Sequence, residues 1–280
     1  MELRSGNVNR RGALKLGIAS VVTSAFAPLA VGGAQDNGQE FLKVPVRARA
    51  TPIGPSGVLR DGTATPGVRA FINFAHYGDL TRIASVRQAH FAYADSMRAR
   101  NKLAIGGPLL DHSGQRVGLL FIYVCTSKSE AISLAENDPF FLAQAWRNYE
   151  ITEWRPLEVK LDLLIGANRS GDEVRKPLTN LFVGYVRYLA DRSQLAAVLP
   201  AHLRYDRDLE EADKLAMAGP FANNTGGLLV FSARGAREAM RCFKRDPLFN
   251  SGLDTEYEFY EWLIEGVNPA LLAGAINAPR

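Results

Sequence analysis

The sequence predicts an α+β fold: two βαββαβ units in one chain, with their sheets packed face to face. Three observations predict it. The phrase "KLAIGGP" at 102–108 returns as "KLAMAGP" at 214–220. The landmarks around the two copies keep one order and nearly one spacing. Within each copy, strand-length apolar runs and helical patterns follow one another as β-α-β-β-α-β.

The spacing is regular. His90 and His202, Tyr93 and Tyr205, and Lys102 and Lys214 are each 112 residues apart. Asp138 and Asp246, and Trp154 and Trp262, are each 108 apart. One four-residue deletion between the Gly-Pro and Asp-Pro pairs accounts for the change. A set of this kind, matched in order, marks an internal duplication of a roughly 100-residue unit, far longer than solenoid repeats.

The elements of the first copy run in order. "VRAFINFA" (68–75) alternates and reads as a strand. In 79–102, Leu80, Ile83, Val86, Ala94 and Met97 share one stripe at helical spacing. "LAIGGPLL" is a short strand ending in a turn. "GLLFIYVC" (118–125) is a continuous apolar run, as a buried strand requires. "SKSEAISLAENDP" is a second helix, capped by Ser127 or Ser129 and closed by Pro139. "NYEITEWRPLEV" (148–159) is the last strand. The second copy repeats the order, with Pro200 marking a kink or a new helical start before His202.

Both helices of such a unit cover one face of a four-stranded antiparallel sheet. "FINF" and "GLLFIYVC" are apolar on both faces, so the other sheet face needs cover as well. A second copy in the same chain supplies it. The expected boundaries are a signal segment (1–34), a linker (35–65), a first domain (66–160), a linker (161–177), a second domain (178–267) and a tail (268–280).

Composition limits the function classes. The chain has 280 residues, 47% hydrophobic, enough for two cores. Its net charge is +4, of which residues 1–34 carry +3. The remainder of the chain is nearly neutral and has no basic stripe interleaved with aromatics, which argues against a nucleic-acid partner. "NRRGALK" (9–15) before the apolar run 16–31 reads as an export signal, with Arg10–Arg11 like a twin-arginine motif and "GGA" ending at Ala34 as the cleavage site. The mature protein is expected to be exported, periplasmic or equivalent, and to lack a membrane span. Cys125 and Cys242 fall at non-equivalent places and read as two buried free thiols rather than a disulfide framework.

The chemistry rests on residues kept in both copies. His90 sits on the apolar side of its helix, where a lone histidine is ordinarily core. His202 repeats it, and each copy adds an Asp at the end of its second helix. Imidazole takes and returns a proton near neutral pH. A carboxylate on its other nitrogen fixes the tautomer and raises its basicity. Asp138 and Asp246 are the candidates, though an Asp before Pro is also common helix punctuation. Tyr93 and Tyr205, three residues after each His, suit either oxyanion donation or packing. Gly107–Pro108 and Gly219–Pro220 shape the end of a strand and allow a substrate to approach the backbone closely. There is no phosphate loop, no nucleotide fingerprint and no nucleophile elbow. The histidines, His76, His90, His112 and His202, form no metal-ligand spacing, so no metal and no cofactor are expected.

His-x-x-Tyr, then "KLxxxGP", then a helix ending in "DP", then an aromatic and acidic strand: this set resembles the YciI-like (YCII-related) family over about 66–158 and 178–265. The resemblance implies ferredoxin-like units paired as a dimeric α+β barrel. It implies His–Asp active sites, which fall on His90 with Asp138 and on His202 with Asp246. Some relatives are cofactor-free enzymes acting on small cyclic compounds. The function expected is therefore an exported, cofactor-independent lyase or isomerase. The alternative is a non-catalytic ligand-binding or assembly protein on the same barrel. A haem or oxygen-dependent enzyme is a third reading, with no residue here that marks an axial ligand. A small molecule is the expected partner, and homo-oligomers are compatible.

Overall fold

The structure, a computed structural model, describes residues 67–167, 179–190, 192–253 and 255–276. In the first copy the order is β1 (Arg69–Tyr77), α1 (Leu80–Ala99), β2 (Leu103–Leu110), β3 (Arg116–Cys125), α2 (Lys128–Glu136), α3 (Pro139–Leu142), β4 (Trp146–Trp154), β5 (Glu158–Val159) and α4 (Leu161–Ala167). The second runs β6 (Asn180–Tyr188), α5 (Arg192–Glu211), β7 (Leu215–Pro220), β8 (Gly226–Ala233), α6 (Ala236–Arg245), α7 (Pro247–Asn250), β9 (Thr255–Trp262) and α8 (Pro269–Ile276). The signal segment, the 35–65 linker and most of the stretch between the copies lie outside the described residues.

All strands join one sheet in the order β4-β1-β3-β2-β9-β6-β8-β7-β5. Each half has the 4-1-3-2 order of a ferredoxin-like unit. The two ends of that order are one continuous stretch of chain, because β5 comes directly after β4 and pairs with β7. Arg155, Leu157 and Lys160 donate their N–H groups to Pro220, Ala218 and Ala216. On the opposite seam Leu263, Glu265 and Asn268 donate to Pro108, Gly106 and Ala104. The donors of the two seams match pairwise by the 108 offset, and the acceptors by the 112 offset. The sheet therefore closes as a dimeric α+β barrel within one chain, with a pseudo-twofold axis between the copies.

Alternation along the strands sorts the side chains. Ile72, Phe74, Ile105, Ile122, Val183, Tyr185, Met217 and Val230 point inward and form the core that both copies share. Phe71, Ala75, Phe121 and Tyr123 point outward under α1–α3, and Phe182, Val186 and Phe231 point under the second copy's helices. Near the axis the barrel carries charge. His76 Nε2 lies 2.6 Å from Glu258, Arg187 donates to Glu150 at 2.8 Å, and its other arm donates to Glu258 at 3.1 Å. His76 and Arg187 are equivalent positions, as are Glu150 and Glu258.

Three expectations need correction. Pro139 does not simply close a helix; it opens α3, and Asp138 caps that short helix by accepting from Phe140 N–H. Pro200 lies inside α5, which runs on through it, so it marks no new helical start before His202. The 161–177 linker and the 268–280 tail each begin with a helix. Leu164 of α4 and Leu272 of α8, 108 residues apart, are both buried in the shared core. "VKLDLLIGA" and "VNPALLAGA" are thus a further stretch of the repeat.

Candidate active site

Leu80 at the start of helix α1 and Phe91 in its middle are exposed. Beneath the helix, His90 is buried against the sheet. Its Nδ1 lies 2.8 and 2.9 Å from the two oxygens of Asp138, which is fully buried. The same carboxylate accepts from Phe140 N–H at 2.8 Å. An ionised carboxylate only accepts, so Nδ1 carries the proton and Nε2 of the neutral ring carries the lone pair. Phe140 stacks on the imidazole with ring centroids 3.9 Å apart, and Phe121 stacks at 5.6 Å. Ring orientation and tautomer are both fixed before any ligand arrives.

His90 lines a cavity of about 290 Å³ between α1 and the barrel. Tyr77, Phe91, Phe121 and Phe140 give it aromatic walls, and Gly107 and Pro108 form part of its lining. Arg87, Arg116 and Glu265 bring charge to it. Glu265 belongs to the second copy, on the segment that runs on from β9 along β2. Burial raises its carboxyl above the ordinary value, against the pull of Arg116, 4.0 Å away, and of His90.

The second copy repeats the pair and then departs from it. His202 Nδ1 lies 2.9 Å from both oxygens of Asp246, which likewise accepts from Leu248 N–H. The Nε2 side, however, faces Asp206 Oδ2 at 3.3 Å. Asp206 stands where the first copy has Ala94. Burial pushes its carboxyl up to about 7, with Asp246 and Glu158 adding to the rise and His202 opposing it. Burial would lower His202, but the bond to Asp246 and the charges of both aspartates raise it. Asp206 Oδ1 is buried with no hydrogen-bond partner. Other positions diverge too: Arg87 and Glu265 correspond to Leu199 and Leu157, and Arg116 lies in the β2–β3 hairpin, which is shorter by four residues in the second copy. Among the described residues, His202, Asp206 and Asp246 are the group whose ligand atoms lie close enough together, within 4.8 Å, to hold a metal ion.

The sequence-predicted residues thus fall into three sets. His90 meets Asp138 and His202 meets Asp246. Tyr93 and Tyr205 point elsewhere: their hydroxyls donate at 2.8 Å to Leu134 and Cys242 carbonyls, so the proton an oxyanion would need is already used. The Gly-Pro pairs serve the seams. A Cβ on Gly107 would lie 1.8 Å from Leu263 O, and one on Gly219 2.1 Å from Arg155 O. Trp262 and Trp154 donate indole N–H groups to the Gly107 and Gly219 carbonyls at 3.3 and 3.0 Å. Sequence reasoning missed Arg87, Arg116, Glu265 and Asp206. Glu265 lies beyond the last matched landmark, Trp262, and the others differ between the copies.

One solved structure is the 5-chloro-2-hydroxyhydroquinone dehydrochlorinase of Burkholderia phenoliruptrix AC1100, with 2,5-dihydroxybenzoquinone bound. It is 25% identical, matches 33% of this chain and 97% of its own, and has a TM-score of 0.28. A heme-binding protein from Thermus thermophilus is 11% identical over 75% of this chain and 95% of its own, with a TM-score of 0.43. A chlorite dismutase mutant from Candidatus Nitrospira defluvii is 11% identical over 74% and 95%, with a TM-score of 0.46. No curated protein sequence matches. The model of the YCII-related domain matches residues 70–155 and again 181–263, so the chain belongs to that family and carries the domain twice.

Proposed function

We propose that the first copy is a cofactor-independent proton-transfer site for a small molecule, of lyase or isomerase type. One observation carries the reading: the imidazole of His90 is oriented by a buried carboxylate and lines an open cavity. Nε2 takes a proton from the bound molecule, and Asp138 stabilises the imidazolium. In an isomerisation the proton returns to another atom of the same molecule. In an elimination the electron pair left behind forms a double bond, the leaving group departs with its own pair, and the proton passes to water. His202 takes no such part, because Asp206 occupies the Nε2 side. The charged stretch 9–15 before the apolar run 16–31 supports export of the chain. No helix among the described residues is long and apolar enough to cross a membrane.

The test is deuterium wash-in from D2O, followed by mass spectrometry, over a panel of small cyclic ketones, lactones and hydroxyquinones. We expect incorporation into at least one class. His90→Gln lowers it about 100-fold or more, and His202→Gln leaves it within about twofold. Incorporation that survives His90→Gln, or none across the panel, sinks the reading and leaves a binding protein on the same barrel.

A further inference from the structure

We propose that His202 and Asp206 bind one divalent cation of the zinc class, with Asp246 behind the imidazole as the carboxylate that orients it. The site lies in the second copy and is independent of the chemistry assigned to His90.

Geometry is the first support. His202 and Asp206 lie one turn apart on α5, the i, i+4 placement by which a single helix offers two ligands to a metal. Nε2 of His202 and Oδ2 of Asp206 are 3.3 Å apart. That is long for a charge-assisted hydrogen bond, which closes to roughly 2.7–2.9 Å. It matches an edge of the tetrahedron around zinc, where bonds of ~2.0–2.2 Å set two ligand atoms about 3.4 Å apart. Asp246 holds Nδ1 at 2.9 Å and accepts from Leu248 N–H at the same distance. Nδ1 therefore keeps the proton and Nε2 presents its lone pair to the cation. A metal-binding imidazole ordinarily carries such a carboxylate on its other nitrogen. Ligand atoms of all three residues lie within 4.8 Å of one another, so the charge of Asp246 also acts at close range.

The second support is an unmet demand. Asp206 is 5% exposed, and its Oδ1 is buried with no hydrogen-bond partner. Leaving a buried carboxylate oxygen unpaired is costly, and buried charges are ordinarily paired or bound to metal. Two of the charges that act most strongly on Asp206, those of Asp246 and Glu158, share its sign, and His202 opposes them. A divalent cation satisfies the orphaned oxygen and offsets the like charges together. An imidazole with a carboxylate suits zinc and its first-row neighbours, whereas magnesium prefers oxygen ligands alone.

The third is the contrast between the copies. Ala94 stands at the Asp206 position of the first copy, so only the second offers the ligand pair. Asp246 sits where α6 meets α7. A cation on His202 and Asp206 thus strengthens the tie between α5 and that corner. Paired histidines do not mark the site in the sequence, because its second ligand is an aspartate.

Zinc chloride, titrated calorimetrically into the chelator-treated full chain near neutral pH, is the test. We expect one zinc per chain, and a rise of about 5 °C or more in the unfolding midpoint at saturation. Asp206→Ala installs the residue that the first copy carries, and Asp206→Asn keeps the shape without the charge. Each of these, and His202→Gln, weakens zinc about tenfold or more and removes the shift in midpoint. Asp246→Asn weakens it about tenfold. His90→Gln leaves it unchanged. Magnesium chloride binds at least about 100-fold more weakly than zinc. No saturable zinc binding up to millimolar concentration overturns the proposal. So does binding that survives both Asp206 variants, binding lost equally in His90→Gln, or magnesium bound as tightly as zinc. Zinc binding is read without turnover and on the other copy, so its failure leaves the His90 reading standing, and the reverse.

Discussion

Asp206 and Ala94 occupy the same helical position, and the difference decides what each histidine does. Both Asp206 and His202 hold their protons more tightly in the folded chain than their ordinary values allow. For Asp206, stability falls as pH rises from the ordinary carboxylate value toward about 7. For His202 the contribution is full below the ordinary imidazole value and is lost as pH rises through the higher folded one. Asp206→Ala removes the first effect and weakens the second. We expect urea denaturation at pH 5 and pH 8 to show that decline flattened by roughly 1–3 kcal/mol in the variant. Equal slopes in the two proteins would mean the carboxylate does not titrate in this window. The thiols give a second residue-scale expectation. Burial pushes Cys125 up to about 12 and also raises Cys242. Both should stay unreactive toward a disulfide reagent at pH 8 until the chain unfolds. His90, Asp138, His202 and Asp246 were legible because both copies keep them. Asp206 was not, since likeness between copies passes over a residue that only one of them has.

Among the elements, β2 and β7 carry the phrase that the sequence repeats, and its meaning is in the seams. Gly107 and Gly219 let the other copy's last strand run against the backbone, where its carbonyl takes the place of a side chain. Gly107→Ala or Gly219→Ala should cost at least about 3 kcal/mol or prevent folding, because the obstructing atom is backbone. Gly235, the N-cap of α6 with nothing within 4 Å of its would-be Cβ, is the control; Gly235→Ala should cost no more than about 1 kcal/mol. Thermal unfolding of the three variants checks this. Apolar runs and helical stripes made most strands and helices of the duplicated unit readable before the fold was seen. Helices α4 and α8 were not, because each is short and comes after a stretch rich in turn-forming or charged residues. They are marked instead by burial of Leu164 and Leu272 in a core that neither copy contains alone.

At the scale of the whole molecule the two copies share one interior and one ion network. Burial opposes ionisation of Glu258, but the bonds from His76 and Arg187 outweigh it and hold the carboxyl below its ordinary value. That stabilisation is present above the ordinary glutamate value and is lost as pH falls through the folded one. Glu258→Gln should cost about 1–2 kcal/mol at pH 7 and make acid unfolding less steep. A pH titration of fluorescence would show it. The shared core makes a further demand: residues 67–167 alone would expose Ile72, Phe74, Ile105 and Ile122 to water. That fragment should self-associate, giving a mass by light scattering of two copies or more. The pseudo-twofold axis has a last consequence. Two identical chains around a true twofold must carry every substitution twice. Here the halves are joined, so Arg87 and Glu265 beside the first cavity need no twin, and neither does the Asp206 that faces His202. The peptide link between the copies is what allows one barrel to hold a cavity beside His90 on one side and a buried acidic cluster around His202 on the other.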